Sequence, residues 1–277
     1  ATGDISHFAP RAKIVHVDID RVEIGKNVRV DYAIVADAKR TLKAIVKALK
    51  EHARRGRTSE WLKRLNNLRK ELDPRMDYDE VPIKPQRAIK DIMKTVGEDA
   101  IVATEVGQCQ MWAAHFYQVK RPRHFISSGG LGTMGFGFPS AMGAKVACPE
   151  KTVVNIAGDG SFLMNSQELA TVVENKINVI SCIFNNRYLG MVKQWQDLFF
   201  GKRRSQTHLG ESPDFVKLAE AYGAWGDRAS RPSEIVPKLK EAIKSGKPAV
   251  LDILIDPDEH VLPMVPAGGR LDEPILT

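Results

Sequence analysis

The chain has 277 residues, of which 43% are hydrophobic and 27% charged, so it can bury one large core, or one domain plus part of another. No apolar run approaches the roughly 20 residues that a membrane-spanning helix needs. The first residues lack a signal-peptide pattern. The three cysteines show neither paired nor metal-binding spacing, which indicates a reducing compartment and predicts a cytoplasmic protein.

The net charge of +7 originates in one stretch, residues 39–75, where 13 Lys or Arg stand against 4 Asp or Glu. Apolar residues recur there at helical spacing, at Leu42, Ile45, Val46 and Leu49 and again at Trp61, Leu62, Leu65 and Leu68. We therefore interpret the basic residues as solvated helix faces, and expect neither a nucleic-acid partner nor a membrane.

Three parts follow one another along the chain. Residues 1–50 indicate a strand (13–19), a short strand (33–35) and a helix from Asp37 onward, too little to close a sheet. Residues 51–84 are predicted to form a basic helical connector that is interrupted at Gly56.

Residues 85–277 alternate helices with apolar strands, which predicts an α/β fold with a parallel sheet flanked by helices. The strands of this part are predicted at 100–104, 153–157, 179–184 and 249–255. Its helices are predicted at 85–96, 137–147, 166–175, 215–222 and 232–245.

The segment 153–191 carries the most functional information. One apolar run ends in Gly158-Asp159-Gly160, and the next ends at Asn185-Asn186. Neighbouring parallel strands would bring Asp159 and Asn186 together at their carboxyl ends, where open α/β sheets bind ligands. A carboxylate and an amide oxygen suit Mg²⁺ that also holds a phosphate, and N–H groups near Ser161 can face an anion. The combination predicts a site for Mg²⁺ and a diphosphate, although each motif alone is usually an ordinary turn.

This pattern and four further stretches resemble the thiamin-diphosphate enzymes, and among them the large catalytic subunits of acetolactate synthase. The stretches are GQCQMWAAHFY (107–117), SSGGLGTMGFGFPSAMGAKVA (127–147), LGMVKQWQDLFF (189–200) and VLPMVPAGGRLDEPIL (261–276). The resemblance runs from about residue 3 to the end. It implies an enzyme of branched-chain amino acid biosynthesis that decarboxylates pyruvate on thiamin diphosphate and condenses the product with pyruvate or 2-oxobutyrate.

The resemblance also implies roles for individual residues. Mg²⁺ would be held by Asp159, Asn186 and the backbone carbonyl of Tyr188. Residues of the glycine-rich and polar segments would contact the cofactor, namely Gly107, Gln108, Gly132, Met134, Gly158, Asp159, Gly160, Ser161, Asn186 and Met191. Met134 would wedge under thiamin, and the carbonyl of Gly132 would accept a bond from the 4′-amino group.

Two positions on one predicted helix face, Met191 and Trp195, would border the second 2-oxoacid by the same resemblance; from spacing alone they read as an apolar core stripe. In the first part, acids at strand ends can bond a ribose, although the local sequence favours ordinary cap or turn roles. The resemblance implies that this part closes a Rossmann-like domain that binds FAD, with Asp18, Ile19, Asp37 and Ala38 near the adenosine half.

Two departures from the family pattern stand out. Cys109 occupies a position that is usually histidine, which removes a possible contact to the diphosphate. The family's amino-terminal domain, which carries the glutamate that activates the cofactor, has no counterpart in this sequence. We therefore expect the chain to contain no catalytic residue of its own and to be inactive without the missing half, supplied in cis or in trans. For the full enzyme the resemblance implies a homodimer or homotetramer and a possible regulatory small subunit.

Three alternatives stay open. The first is another thiamin enzyme, such as a 2-oxoacid decarboxylase, a glyoxylate carboligase or an FAD-linked pyruvate oxidase; Met191 with Trp195 and the segment 261–266 argue against it. The second is the diphosphate-binding subunit of a two-chain enzyme. The third is a noncatalytic interaction protein of the same fold, which the intact Asp159 and Asn186 disfavour.

Overall fold

A computed structural model describes residues 3–52, 59–211 and 213–276. The interruption predicted at Gly56 lies outside these residues. The chain divides into two compact units, the first formed by Ala1–Asp73 with Leu262–Thr277 and the second by Pro74–Val261. No helix among the described residues is both long enough and apolar enough to cross a membrane.

The first unit holds a short 3₁₀ helix (Ile5–His7), the parallel strands β1 (Val15–Asp18) and β2 (Tyr32–Val35), and the helices α1 (Ala38–His52) and α2 (Glu60–Glu71). Helix α1 begins after Asp37, because the Asp37 carboxylate accepts a 2.9 Å bond from the N–H of Arg40. Two strands and a helix bury little surface. The apolar face of α1 is accordingly exposed at Leu42, Ile45, Val46 and Leu49.

The second unit contains a six-stranded sheet in which every neighbouring pair is parallel. Its strands are β3 (Ile101–Thr104), β4 (Phe125–Ser127), β5 (Val153–Gly158), β6 (Val179–Asn185), β7 (Trp225–Ala229) and β8 (Ala249–Leu254). Their order across the sheet is β4-β3-β5-β6-β8-β7. The central strands are buried along their length, as expected for a sheet covered on both faces.

Eight helices of the second unit are described: α3 (Pro85–Val96), α4 (Gln108–Phe116), α5 (Gly137–Ala147), α6 (Asp159–Phe162), α7 (Leu169–Glu174), α8 (Gly190–Phe199), α9 (Phe215–Tyr222) and α10 (Pro232–Ser245). Helices α3, α4 and α10 pack on one face of the sheet through residues such as Ile89, Trp112 and Leu239. Helices α5, α7 and α9 cover the other face through residues such as Phe138 and Phe215. The predicted α/β class with a helix-flanked parallel sheet is confirmed.

Several predicted elements differ in detail from the structure. The helix predicted over 166–175 is divided into a 3₁₀ segment (Leu163–Glu168), which is kinked at Asn165 with φ −136°, and α7. Strands β4 and β7 and helix α4 were not predicted. Both unpredicted strands lie at the edges of the sheet, where partial exposure leaves no continuous apolar run.

Candidate functional site

A cavity of about 270 Å³ opens at the carboxyl edge of the second unit's sheet. The segments that follow four strands line it, as expected where the strand order of an open α/β sheet reverses. After β3 and β4 the lining includes Gly107, Gln108, Cys109, Gly132 and Met134. At the end of β5 and after β5 and β6 it includes Gly158, Asp159, Gly160, Ser161, Asn186, Tyr188, Gly190 and Met191. Every residue predicted to contact thiamin diphosphate therefore lines one cavity.

Asp159 begins α6 directly after β5 and is 3% exposed. Its two carboxylate oxygens accept backbone N–H bonds, from Gly160 at 3.0 Å and from Arg187 at 2.8 Å. Burial raises the pKa of Asp159 to about 7, against the opposing effect of these bonds. Among the described residues no basic side chain pairs with this carboxylate. The site therefore presents a buried acid that a bound cation would stabilise.

Asn186 follows β6 and is 6% exposed. Its Oδ1 accepts a 3.1 Å bond from the N–H of Tyr188, and its Nδ2 donates to Gln108 Oε1 at 3.3 Å. The backbone of Tyr188 is held by a bridge to His208. The structure thus brings one carboxylate and one amide of the predicted Mg²⁺ ligands to the same cavity, together with the Tyr188 backbone.

The described residues contain no group of three or more His, Cys, Asp or Glu side chains that could hold a metal by themselves. The predicted Mg²⁺ ligands do not require such a group, because they combine a single carboxylate with an amide oxygen and a backbone carbonyl. Mg²⁺ is usually bound through one or two carboxylates plus water and substrate phosphates, so this donor set fits the ion when a diphosphate is also bound.

Gln108 opens α4 and connects the site to two other segments. Its Nε2 donates to Gln194 Oε1 at 2.8 Å and to the carbonyl of Glu259 at 3.2 Å. A Cβ atom on Gly190 would lie 2.1 Å from Gln108 Oε1 and 3.0 Å from Asn186 Nδ2. Glycine at position 190 is therefore the residue that leaves room for this amide network.

Gly132 and Met134 reach the cavity from the loop after β4. Gly132 has φ 71°, a left-handed conformation that favours glycine. The backbone directly after Met134 is also anchored, because Asn165 Nδ2 donates to the carbonyl of Gly135 at 2.7 Å. The loop is therefore shaped by glycine and fixed by side chains from outside it.

Cys109 also lines the cavity and is 2% exposed. Burial raises the pKa of its thiol to about 12, so the sulfur is an uncharged thiol at neutral pH. The departure from histidine thus replaces a potential hydrogen-bonding ring by a small apolar group at the wall of the cavity.

The two predicted substrate residues are placed differently. Both belong to α8, but Met191 lines the cavity whereas Trp195 is outside the set of lining residues and packs near Phe199, with 5.7 Å between ring centroids.

The predicted FAD residues lie in the first unit. Asp18 ends β1 and accepts a 2.8 Å bond from the N–H of Asp20, and Asp37 caps α1. Both acids therefore make local turn and cap bonds, Ile19 is 73% exposed, and Ala38 is the first residue of α1.

Four buried residues that support the site were absent from the sequence predictions: Glu105, Asn185, Gln194 and Asp252. Asn185 donates to Asp252 Oδ1 at 2.9 Å, and Arg228 donates to Asp252 Oδ2 at 2.8 Å. The sequence could have indicated Asp252, since a charged residue inside the apolar run 249–255 needs a buried partner. It could not have indicated Gln194, because glutamine is ordinary on a helix.

A family model described as "Thiamine pyrophosphate enzyme, C-terminal TPP binding domain" matches residues 105–253, more than half of the chain. A second, "Thiamine pyrophosphate enzyme, central domain", matches residues 1–45. The chain belongs to the thiamine pyrophosphate enzyme family, with the cavity inside the span of the C-terminal TPP binding domain.

Over almost its whole length the chain is similar to acetolactate synthase large subunits. It is 58% identical over 276 residues to the probable acetolactate synthase large subunit of Methanocaldococcus jannaschii, covering 98% of this chain and 46% of that protein. It is 42% identical over 278 residues to the isozyme 3 large subunit of Escherichia coli, covering 98% and 48%. It is 43% identical over 286 residues to acetolactate synthase 1, chloroplastic, of Oryza sativa subsp. japonica, covering 99% and 44%. The chain thus spans about half the length of the curated relatives it matches.

Proposed function

We propose that the cavity binds the diphosphate of thiamin diphosphate through Mg²⁺. Asp159, Asn186 and the Tyr188 carbonyl would hold the ion, and Gly107, Gln108, Gly158, Gly160 and Ser161 would border the diphosphate. The observation that carries the proposal is the buried Asp159 carboxylate at the cavity wall, whose raised pKa marks a site that favours a neighbouring positive charge.

The other half of the cofactor would lie against the loop after β4. The Gly132 carbonyl would accept a hydrogen bond from the 4′-amino group, and Met134 would pack beneath the rings, since both residues line the same cavity. When bound, thiamin diphosphate supplies the electron sink that decarboxylation of a 2-oxoacid requires. The chain's own residues bind and orient it and exclude water from the cavity floor.

For the whole protein we infer acetolactate synthase activity: decarboxylation of pyruvate and condensation with a second pyruvate or with 2-oxobutyrate. Similarity to large subunits across 98% of the chain supports this inference. Met191 and Trp195 would border the second 2-oxoacid, and an apolar contact of this kind discriminates one methylene by about 1–3 kcal/mol. The name "large subunit" supports a regulatory small subunit as partner. We also propose that the whole protein forms a homodimer or homotetramer.

We further propose that residues 1–50 belong to a central domain that binds FAD through Asp18, Ile19, Asp37 and Ala38. Residues 85–277 would form the diphosphate-binding domain, and residues 51–84 would be the helical linker between the two domains. The matches of the two family models to residues 1–45 and 105–253 support this division.

The activity is tested by product analysis. The purified chain is mixed with Mg²⁺, thiamin diphosphate, pyruvate and the separately produced amino-terminal half of the M. jannaschii relative. Acetolactate that forms only when both parts are present supports the proposal and the expected inactivity of the chain alone. Acetaldehyde or acetate as the main product would indicate a decarboxylase or an oxidase instead. An Asp159→Ala chain in the same mixture is the control for the contribution of this cavity.

A further inference from the structure

Glu105 is a fully buried acid directly after β3. In the described part of the chain no basic side chain pairs with it; the groups that favour its charged form are backbone N–H groups. Burial therefore raises its pKa, and these bonds oppose the shift. Burying a carboxylate without a cation is costly, so its position calls for a specific role.

The carboxylate bonds to the segment that carries Met134. Glu105 Oε2 accepts a 2.8 Å bond from the N–H of Gly135, and Oε1 accepts a 2.9 Å bond from the N–H of Phe138. The first of these N–H groups belongs to the peptide that directly follows Met134. Two acceptors on separate oxygens are needed, and a carboxylate supplies both, whereas an amide supplies one.

A second side chain fixes the same segment from another element. Asn165, in the 3₁₀ segment after α6, donates to the carbonyl of Gly135 at 2.7 Å. The contact is close, because a Cβ on Gly135 would lie 2.8 Å from Asn165 Nδ2. A Cβ on Gly137 would lie 2.5 Å from the Glu105 nitrogen. Both polar backbone groups of Gly135 are therefore held by side chains, one from the residue after β3 and one from the 3₁₀ segment after α6.

We propose that Glu105 and Asn165 are positioning residues that hold the backbone after Met134, so that this side chain stays in the cavity, where it would contact the rings of the cofactor. The proposal rests on the proposed function, since it assigns these two residues to the same cofactor site. They do not line the cavity themselves and act through the Gly135 peptide.

A purely structural role for Glu105 has to be separated from this one. Phe138 lies in the first turn of α5, so the carboxylate also caps that helix and interacts favourably with its dipole. Loss of a helix cap would lower the stability of the unit and reduce the binding affinity of every ligand alike. Loss of the positioning of the Met134 loop would reduce the affinity only of ligands that contact Met134 through both rings.

The test compares two ligands by calorimetric titration in the presence of Mg²⁺: thiamin diphosphate, and hydroxyethylthiazole diphosphate, which lacks the pyrimidine ring. The proteins are the unaltered chain, Glu105→Gln, Asn165→Ala, Met134→Ala and the matched control Glu168→Gln. Glu168 is suitable because its carboxylate bonds to Thr171 within its own helical region. Asn165→Ala keeps the test decisive if Glu105→Gln does not fold.

We expect Glu105→Gln and Asn165→Ala each to lower the affinity for thiamin diphosphate about tenfold, the size of one lost hydrogen bond to a charged or well-aligned partner. Affinity for the thiazole fragment should stay unchanged, as should both affinities in Glu168→Gln. In a Met134→Ala background the two changes should have little further effect, because their action passes through Met134. Equal weakening of both ligands, or full additivity with Met134→Ala, would overturn the proposal. If the unaltered chain bound neither ligand, the proposed function itself would fail, and this inference with it.

Discussion

The carboxylate of Asp159 accepts a 2.8 Å hydrogen bond from the backbone N–H of Arg187, and this bond joins the turn after β5 to the turn after β6. Arg187 has φ 63°, a left-handed conformation that is uncommon outside glycine. The two turns carry Asp159 and Asn186, the proposed side-chain ligands of Mg²⁺. Their relative position is therefore set by the protein before a cation binds, which reduces the ordering cost of binding.

Gly190→Ala should weaken binding of Mg²⁺–thiamin diphosphate without unfolding the protein. The new Cβ would displace the end of the Gln108 side chain, which is flexible, and so break its contact with Asn186. Calorimetric titration should show an affinity loss of at least about tenfold, the cost of disturbing a buried amide pair. Gly143→Ala, at a helical glycine with open space around its Cβ, is the control and should bind normally. Normal binding by Gly190→Ala would contradict the role of this network.

Asp252→Ala should lower the free energy of unfolding by roughly 2 kcal/mol, because it removes a fully buried carboxylate and leaves the buried Asn185 amide and the partly exposed Arg228 without their acceptor. Asp252 is fully buried and bonds to Arg228 and Asn185. The control is Asp227→Ala, in the neighbouring strand β7, which removes a partly exposed ion pair with Lys238 of α10. This change should cost less than about 1 kcal/mol. Urea denaturation of the two variants measures the difference, and equal costs would show that Asp252 is not a structural anchor.

The contribution of Asp197 to stability should disappear in acid. Burial opposes its ionisation, but hydrogen bonds from Arg204, Lys193 and His260 outweigh this and hold its pKa well below the ordinary value. A lowered folded-state pKa stabilises the protein above the unfolded pKa of about 3.9 and loses this effect as the pH falls below it. The difference in unfolding free energy between the unaltered chain and Asp197→Asn should thus be constant at neutral pH and shrink below about pH 4. Denaturation series at several pH values test this, and a difference that grows in acid would refute it.

The three cysteines should differ in reactivity. Burial raises the pKa of Cys109 and of Cys182 to about 12, and both thiols are shielded, whereas Cys148 is partly exposed. Since the thiolate is the nucleophile, iodoacetamide at pH 8 should modify Cys148 first. Peptide mass spectrometry after brief labelling identifies the sites, with urea-unfolded protein as the control in which all three react. Early labelling of Cys109 would contradict its burial at the cavity wall.

The central strands could be predicted because parallel strands buried on both faces are continuous apolar runs, as in Val153–Gly158 and Val179–Asn185. The edge strand Trp225–Ala229 escaped prediction, because its partly exposed residues include glycine, aspartate and arginine. The position of Asp159 and Asn186 followed from strand ends alone. The contributions of Glu105 and Gln194 did not, because they depend on contacts with residues 30 and 86 positions away in the chain.

Calorimetric titration of thiamin diphosphate with Mg²⁺ into the 277-residue chain and into Asp159→Ala tests the central claim most directly. The cavity site predicts saturable binding by the unaltered chain that requires Mg²⁺ and is lost in the variant. Asp99→Ala, which alters an exposed carboxylate elsewhere in the same unit, is the control and should bind like the unaltered chain. Equal binding by the chain and by Asp159→Ala would contradict the claim that Asp159 holds the cofactor's metal ion.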